Sequence, residues 1–121
     1  MLLVIADDDR DSAETLAQLL RLLLPPPVDI VLAFDGQGAL AAVTNGAVRP
    51  DAVILDIEMP RMDGVNAALA IRNALGSKTP TLIAVSGHVD MTRLARVNSA
   101  FDHALPKPVQ VNELLGLLGS L

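Results

Sequence analysis

Five short apolar runs recur along the chain: Leu2 to Ala6, Val28 to Ala33, Ala52 to Leu55, Thr81 to Val85 and the weaker Asp102 to Leu105. Stretches with helical spacing separate them. Continuous Val, Ile and Leu without polar alternation is what a strand covered on both faces needs, so the pattern predicts an α/β sandwich around a central parallel sheet. In the first helical stretch Ala13, Leu16, Ala17, Leu20 and Leu24 share one face, and Asp11 with Glu14 has the form of a capping box. Pro25, Pro26 and Pro27 must end it, because prolines donate no amide hydrogen bond and force extended geometry on their neighbours. A second helix is expected to start after Asp35-Gly36 and end at Asn45-Gly46, a third to run from about Val65 to Leu75, and a fourth to cover roughly Met91 to Ser99. A fifth follows Pro108, with Val111, Leu114, Leu115 and Leu118 on its buried face and Leu117 and Leu121 to the side.

A chain of 121 residues suffices for one domain with a real core, expected here over residues 1–121. That core is aliphatic, with two Phe and no Trp or Tyr, so stacking platforms for single-stranded nucleic acid are missing. Net charge is -5 and the nine basic residues are scattered, which argues against direct nucleic-acid binding. The absence of cysteine fits a reducing compartment. No apolar stretch has the length of a membrane span, and the acids after MLLVIA are unlike a signal peptide. The expected location is the cytoplasm.

In open α/β sheets ligands bind outside the carboxyl ends of the strands. That rule gathers Asp7 and Asp8 after the first strand, Asp56 after the third, Ser86 after the fourth and Lys107 after the fifth. Acids this crowded need a cation, because two carboxylates about 4 Å apart repel by roughly 4 kcal/mol at an effective dielectric near 20. Asp9 and Asp11 have a simpler reading, as acids favoured by the helix start that follows. Carboxylates with a backbone carbonyl form a hard oxygen site that suits Mg²⁺ better than zinc. Such an ion would neutralise the acids and orient a phosphoryl group for attack by Asp56, with Lys107 as a compact positive charge and Ser86 as a hydroxyl donor.

The acidic pair in LLVIADDD, the LDIEMPRMDG block, the AVSG strand end and the LPKPV turn together resemble the receiver domains of two-component response regulators, the family similar to the chemotaxis regulator of bacteria. The resemblance spans essentially the whole chain. It implies a flavodoxin-like three-layer fold with strand order 2-1-3-4-5 and a phosphoryl group taken onto Asp56 from the phosphohistidine of a sensor histidine kinase or histidine phosphotransfer domain. It further implies Mg²⁺ bound directly by Asp8 and Asp56, mainly through water by Asp7, and by the backbone carbonyl of Glu58. A cis bond before Pro108 and a partner surface including Leu19, Leu22 and Leu23 belong to the same expectation. The domain would act on itself as a switch or relay and not as a turnover enzyme.

Two rival readings use the same residues. A Mg²⁺-dependent phosphatase of the haloacid dehalogenase type also attacks with Asp, but it needs a second acid two positions on, where Glu58 is a poor substitute. A phosphorylation-independent interaction module of the same fold usually loses acidic-pair or lysine positions that are all kept here. His88 and His103 read as loop and surface residues, and Asp35-Gly36-Gln37-Gly38 as a turn and helix cap. The chain departs from the family at Ala104, where an aromatic or His is common, at Pro106, and in having one residue fewer between Ser86 and Lys107. These departures bear on the output surface and leave the phosphorylation chemistry intact.

Overall fold

The computed structural model describes residues 1–46, 49–87, 97 and 99–121. Its five strands are β1 (Leu2–Ala6), β2 (Asp29–Ala33), β3 (Ala52–Asp56), β4 (Thr81–Ser86) and β5 (His103–Pro106). They form one parallel sheet in the order β2-β1-β3-β4-β5. In β1, β3 and β4 the apolar runs lack polar alternation because both faces are covered, whereas the edge strands β2 and β5 leave Val31, His103 and Ala104 exposed. Val4, Val53, Leu55, Leu82 and Ala84 enter one core, while Leu3, Ile5, Ile54, Ile83 and Val85 enter the other. Each fully buried large aliphatic side chain contributes about 1.5–3 kcal/mol relative to exposure.

Helices α2 (Gly36–Thr44) and α3 (Gly64–Leu75) supply Ala39, Val43, Val65 and Ile71 to the first core. Helices α1 (Arg10–Leu23) and α4 (Val111–Gly119) supply Ala13, Ala17, Leu20, Leu114 and Leu118 to the second. The helix expected over Met91 to Ser99 falls mostly outside the described residues, as does His88. Val97 and Ala100, with Phe101, pack into the first core.

Boundaries differ from the sequence reading in informative ways. The cap of α1 is Asp9, not Asp11: its carboxylate accepts from the backbone N–H of Asp11 at 3.1 Å and of Ser12 at 3.3 Å. That leaves Asp11 inside the first turn, where the helix dipole favours an acid. The fifth strand is shifted to His103–Pro106 because Asp102 is used otherwise. Its carboxylate accepts from Leu82 N at 2.8 Å and pairs with Arg72 at 3.3 Å, fastening β5 to β4 and α3. In α4 only Leu114 and Leu118 are buried, while Val111 and Leu115 are partly exposed, a narrower face than expected. Asp35 caps α2 by accepting from Gly38 N at 2.6 Å, as the turn reading required.

Topology places the crevice. From β1 the chain steps outward to β2, then returns to lay β3 on the other side of β1. The connections on either side of β1 therefore diverge at the carboxyl ends of β1 and β3. Asp7 and Asp56 stand at those two ends.

Candidate functional site

Asp56 is the last residue of β3 and is only 5% exposed. A buried carboxylate needs partners. One oxygen accepts from the backbone N–H of Glu58 at 3.0 Å, and the other accepts from the Lys107 ammonium at 3.0 Å. Lys107 reaches this position because the sheet pattern continues past β5: its N–H donates to Ser86 O at 2.9 Å. The Lys107-Pro108 bond is cis. The same ammonium lies 3.6 Å from Asp7, so one cation serves two acids.

Asp7, nearly buried, is held by an N–H from Asp9 at 2.9 Å. Burial pushes its carboxyl above the usual value near 3.8, and the Asp56 charge adds to this against the pull of the Asp9 amide and Lys107. For Lys107 burial acts downward, but the hydrogen bond and charge of Asp56, then Asp7, outweigh it, and its affinity for the proton is raised. Asp8 is exposed beside them. Oxygens of Asp7, Asp8 and Asp56 all lie within 4.8 Å of one another, and among the described residues no other such cluster of metal-capable side chains occurs. Three hard oxygen donors, two of them paired with one lysine, fit a small hard divalent cation.

The structure thus brings together Asp7, Asp56 and Lys107 in direct contact, with Asp8 adjacent. Ser86 ends β4, half-buried, in register with Pro106. Gly87 follows it, exposed, and among the described residues no atom lies within 4 Å of where its side chain would begin. His103 is exposed on the edge strand. A cleft of about 760 Å³ is lined by Asp7, Asp56 and Lys107 together with Leu16, Leu19 and Val109.

Two features were not read from the sequence. One is the Glu58 amide that orients Asp56. The other is the close approach of Gly64 to the end of β3, where an added Cβ would stand 2.4 Å from Asp56 O. The Asp63-Gly64 pair marked the turn, but nothing local reveals that glycine is needed for close approach. Glu58 also carries a buried Oε1 without a hydrogen-bond partner among the described residues.

A doubly wound parallel sheet with an acidic crevice at its switch point, closed on one side by the lysine that follows the last strand, defines an open α/β protein of flavodoxin-like class. The response regulator receiver domain model matches residues 3–118, and the chain belongs to that family. It is 34% identical over 119 residues to response regulator MprA of Mycobacterium sp. (strain KMS), covering 98% of this chain and 49% of that relative. Identity is 33% over 121 residues to MprA of Mycobacterium avium (strain 104), covering 100% and 50%. The chain therefore spans about half the length of the curated relatives it matches. Among solved structures it is similar to a CheY-like receiver domain from Methylobacillus flagellatus, with TM-score 0.84, 28% identity and coverage of 99% and 97%. A receiver protein from Pseudomonas putida gives TM-score 0.87 at 25% identity, covering 99% and 96%.

Proposed function

We propose that the domain accepts a phosphoryl group on Asp56 from the phosphohistidine of a sensor histidine kinase or histidine phosphotransfer domain, and loses it by hydrolysis. The observation that carries this reading is the Asp56 carboxylate itself, 5% exposed at a strand end and held by Glu58 N and Lys107 beside two further acids. In the transfer an Asp56 oxygen forms a bond to phosphorus as the bond to the donor's ring nitrogen breaks, the electron pair leaving with the imidazole. Water later attacks the same phosphorus, restoring the carboxylate and releasing inorganic phosphate.

Lys107 stays protonated throughout and offsets negative charge at Asp56 and on the phosphoryl oxygens. Glu58 N fixes the carboxylate's orientation, so little reorganisation is needed for in-line attack. Ser86 offers a hydroxyl donor to a phosphoryl oxygen. Asp8 and Asp56 directly, Asp7 mainly through water, and the backbone carbonyl of Glu58 are the residues that would hold Mg²⁺. When bound, that ion would supply charge neutralisation among the carboxylates and phosphoryl oxygens.

The partner would meet this site across α1, where Leu19, which also lines the cleft, Leu22 and Leu23 are 37%, 81% and 53% exposed. The scattered basic residues support no direct contact with nucleic acid, and no helix among the described residues is long and apolar enough to cross a membrane. We place the domain in the cytoplasm as a self-acting switch or relay and not a turnover enzyme. Intact-mass measurement with a small phosphodonor and Mg²⁺ tests the reading. One phosphoryl adduct is expected, absent in Asp56→Asn; an undiminished adduct in that variant would move the acceptor elsewhere.

A further inference from the structure

We infer that Gly36, the first residue of α2, is a positioning residue for the acidic site. Its missing side chain lets α2 seat against Met62 and so sets the loop that orients Asp56. The inference rests on the phosphoacceptor reading above and concerns a residue outside the acidic cluster. A Cβ at Gly36 would stand 2.4 Å from the Met62 carbonyl oxygen and 2.9 Å from Met62 Cβ and Cγ. The closest of these atoms is backbone, so a flexible side chain cannot absorb the contact by swinging aside.

The loop between β3 and α3 has little freedom to yield. Its ends are tied by Gly64 N donating to Ile57 O at 2.9 Å, and Gly64 approaches Asp56 O so closely that a Cβ there would stand 2.4 Å away. Its tip is a tight turn, with Met62 N donating to Pro60 O at 2.9 Å and Arg61 held at φ 68 in the left-handed region. The loop is thus clamped at its root by Gly64 and on its flank by Gly36. A push on Met62 travels toward Pro60 and Glu58, the residue whose N–H holds Asp56 at 3.0 Å. Gly38 is a natural control, because a Cβ there would meet only Asp35 Oδ1 at 3.1 Å and Ala33 Cβ at 3.4 Å, within its own stretch of chain.

The test compares ¹⁵N-labelled wild type, Gly36→Ala, Gly38→Ala and Met62→Val, the last crowding the same contact from the loop side. Denaturant stability, the metal-free Glu58 amide shift and Mg²⁺ affinity from amide titration are read for each. Gly36→Ala and Met62→Val are expected to move the Glu58 amide and weaken Mg²⁺ at least three-fold. Gly38→Ala should do neither, whatever stability it loses. A Gly36→Ala protein with the wild-type Glu58 amide and affinity overturns the inference, and so does Gly38→Ala matching it. If Gly36→Ala does not fold, Met62→Val decides alone, an unmoved Glu58 amide refuting the idea. Wild type that binds no Mg²⁺ would instead refute the reading of the site, while the Glu58 shifts still decide the positioning.

Discussion

Asp7 is held in a conflict between burial and charge on one side and its Asp9 and Lys107 partners on the other. Burial first, and then the neighbouring Asp56 charge, raise its carboxyl above 3.8, so the folded state binds a proton there more readily than the unfolded chain. By linkage, the stability this group confers is complete below its unfolded value and is lost as pH rises through the raised folded value. At neutral pH an ionised Asp7 is therefore a net burden. Asp7→Asn keeps the oxygen that accepts from Asp9 N and removes the charge. Without divalent ions at pH 7 it is expected to melt higher than wild type by roughly 3–6 °C, the span that about 1 kcal/mol commands in a domain of this size. The gain should shrink as pH is lowered toward 3.8, and calorimetry across that range reads both. An Asp7→Asn protein that melts lower at pH 7 would show that the Lys107 pairing outweighs burial and repulsion.

At the scale of elements, β5 is short and lies at the edge of the sheet, with His103 and Ala104 both exposed. Ala104 is in register with Ala84 of β4 and has no χ1 rotamer to change. In similar receivers a strand-four hydroxyl moves toward the phosphoryl group while an aromatic side chain on the fifth strand follows it. Ala104 offers no such aromatic second member here. Adding beryllofluoride and Mg²⁺ as a phosphoryl analogue is expected to shift the amides of Ser86 and Gly87 more than those of Asp102 to Leu105. Comparable shifts along Asp102 to Leu105 would show that the change crosses β5 without an aromatic. Fastening of β5 through Asp102, to Leu82 N at 2.8 Å and Arg72 at 3.3 Å, favours the smaller response.

For the whole molecule, a divalent ion held at the acidic cluster would couple its binding to folding. Three carboxylates sit within 4.8 Å, in a chain whose net charge is already -5, so a ligand that binds only the folded state stabilises it by mass action. Millimolar Mg²⁺ should raise the melting temperature, and at a hundred-fold excess over Kd the gain approaches about 2.7 kcal/mol. Asp8→Ala, which removes an exposed carboxylate of the cluster and leaves the buried pairs of Asp56 intact, should abolish most of that rise. An equal rise in the variant would place the ion somewhere other than this cluster. How much of the fold and site was legible beforehand depends on the range of the interactions. The strands were readable because burial on both faces demands continuous apolar runs, and the acid positions because strand ends in a parallel sheet converge on one edge. Those are local patterns joined by one topological rule. The cap at Asp9, the clasp of Asp102 on Leu82 and Arg72, the Glu58 amide on Asp56 and the close seats of Gly36 and Gly64 were decided only in three dimensions. Each depends on distances between residues whose side chains or backbones meet through packing, and a few tenths of an ångström there determine whether a carboxylate is oriented, while hydrophobic spacing along the chain is indifferent to shifts of that size.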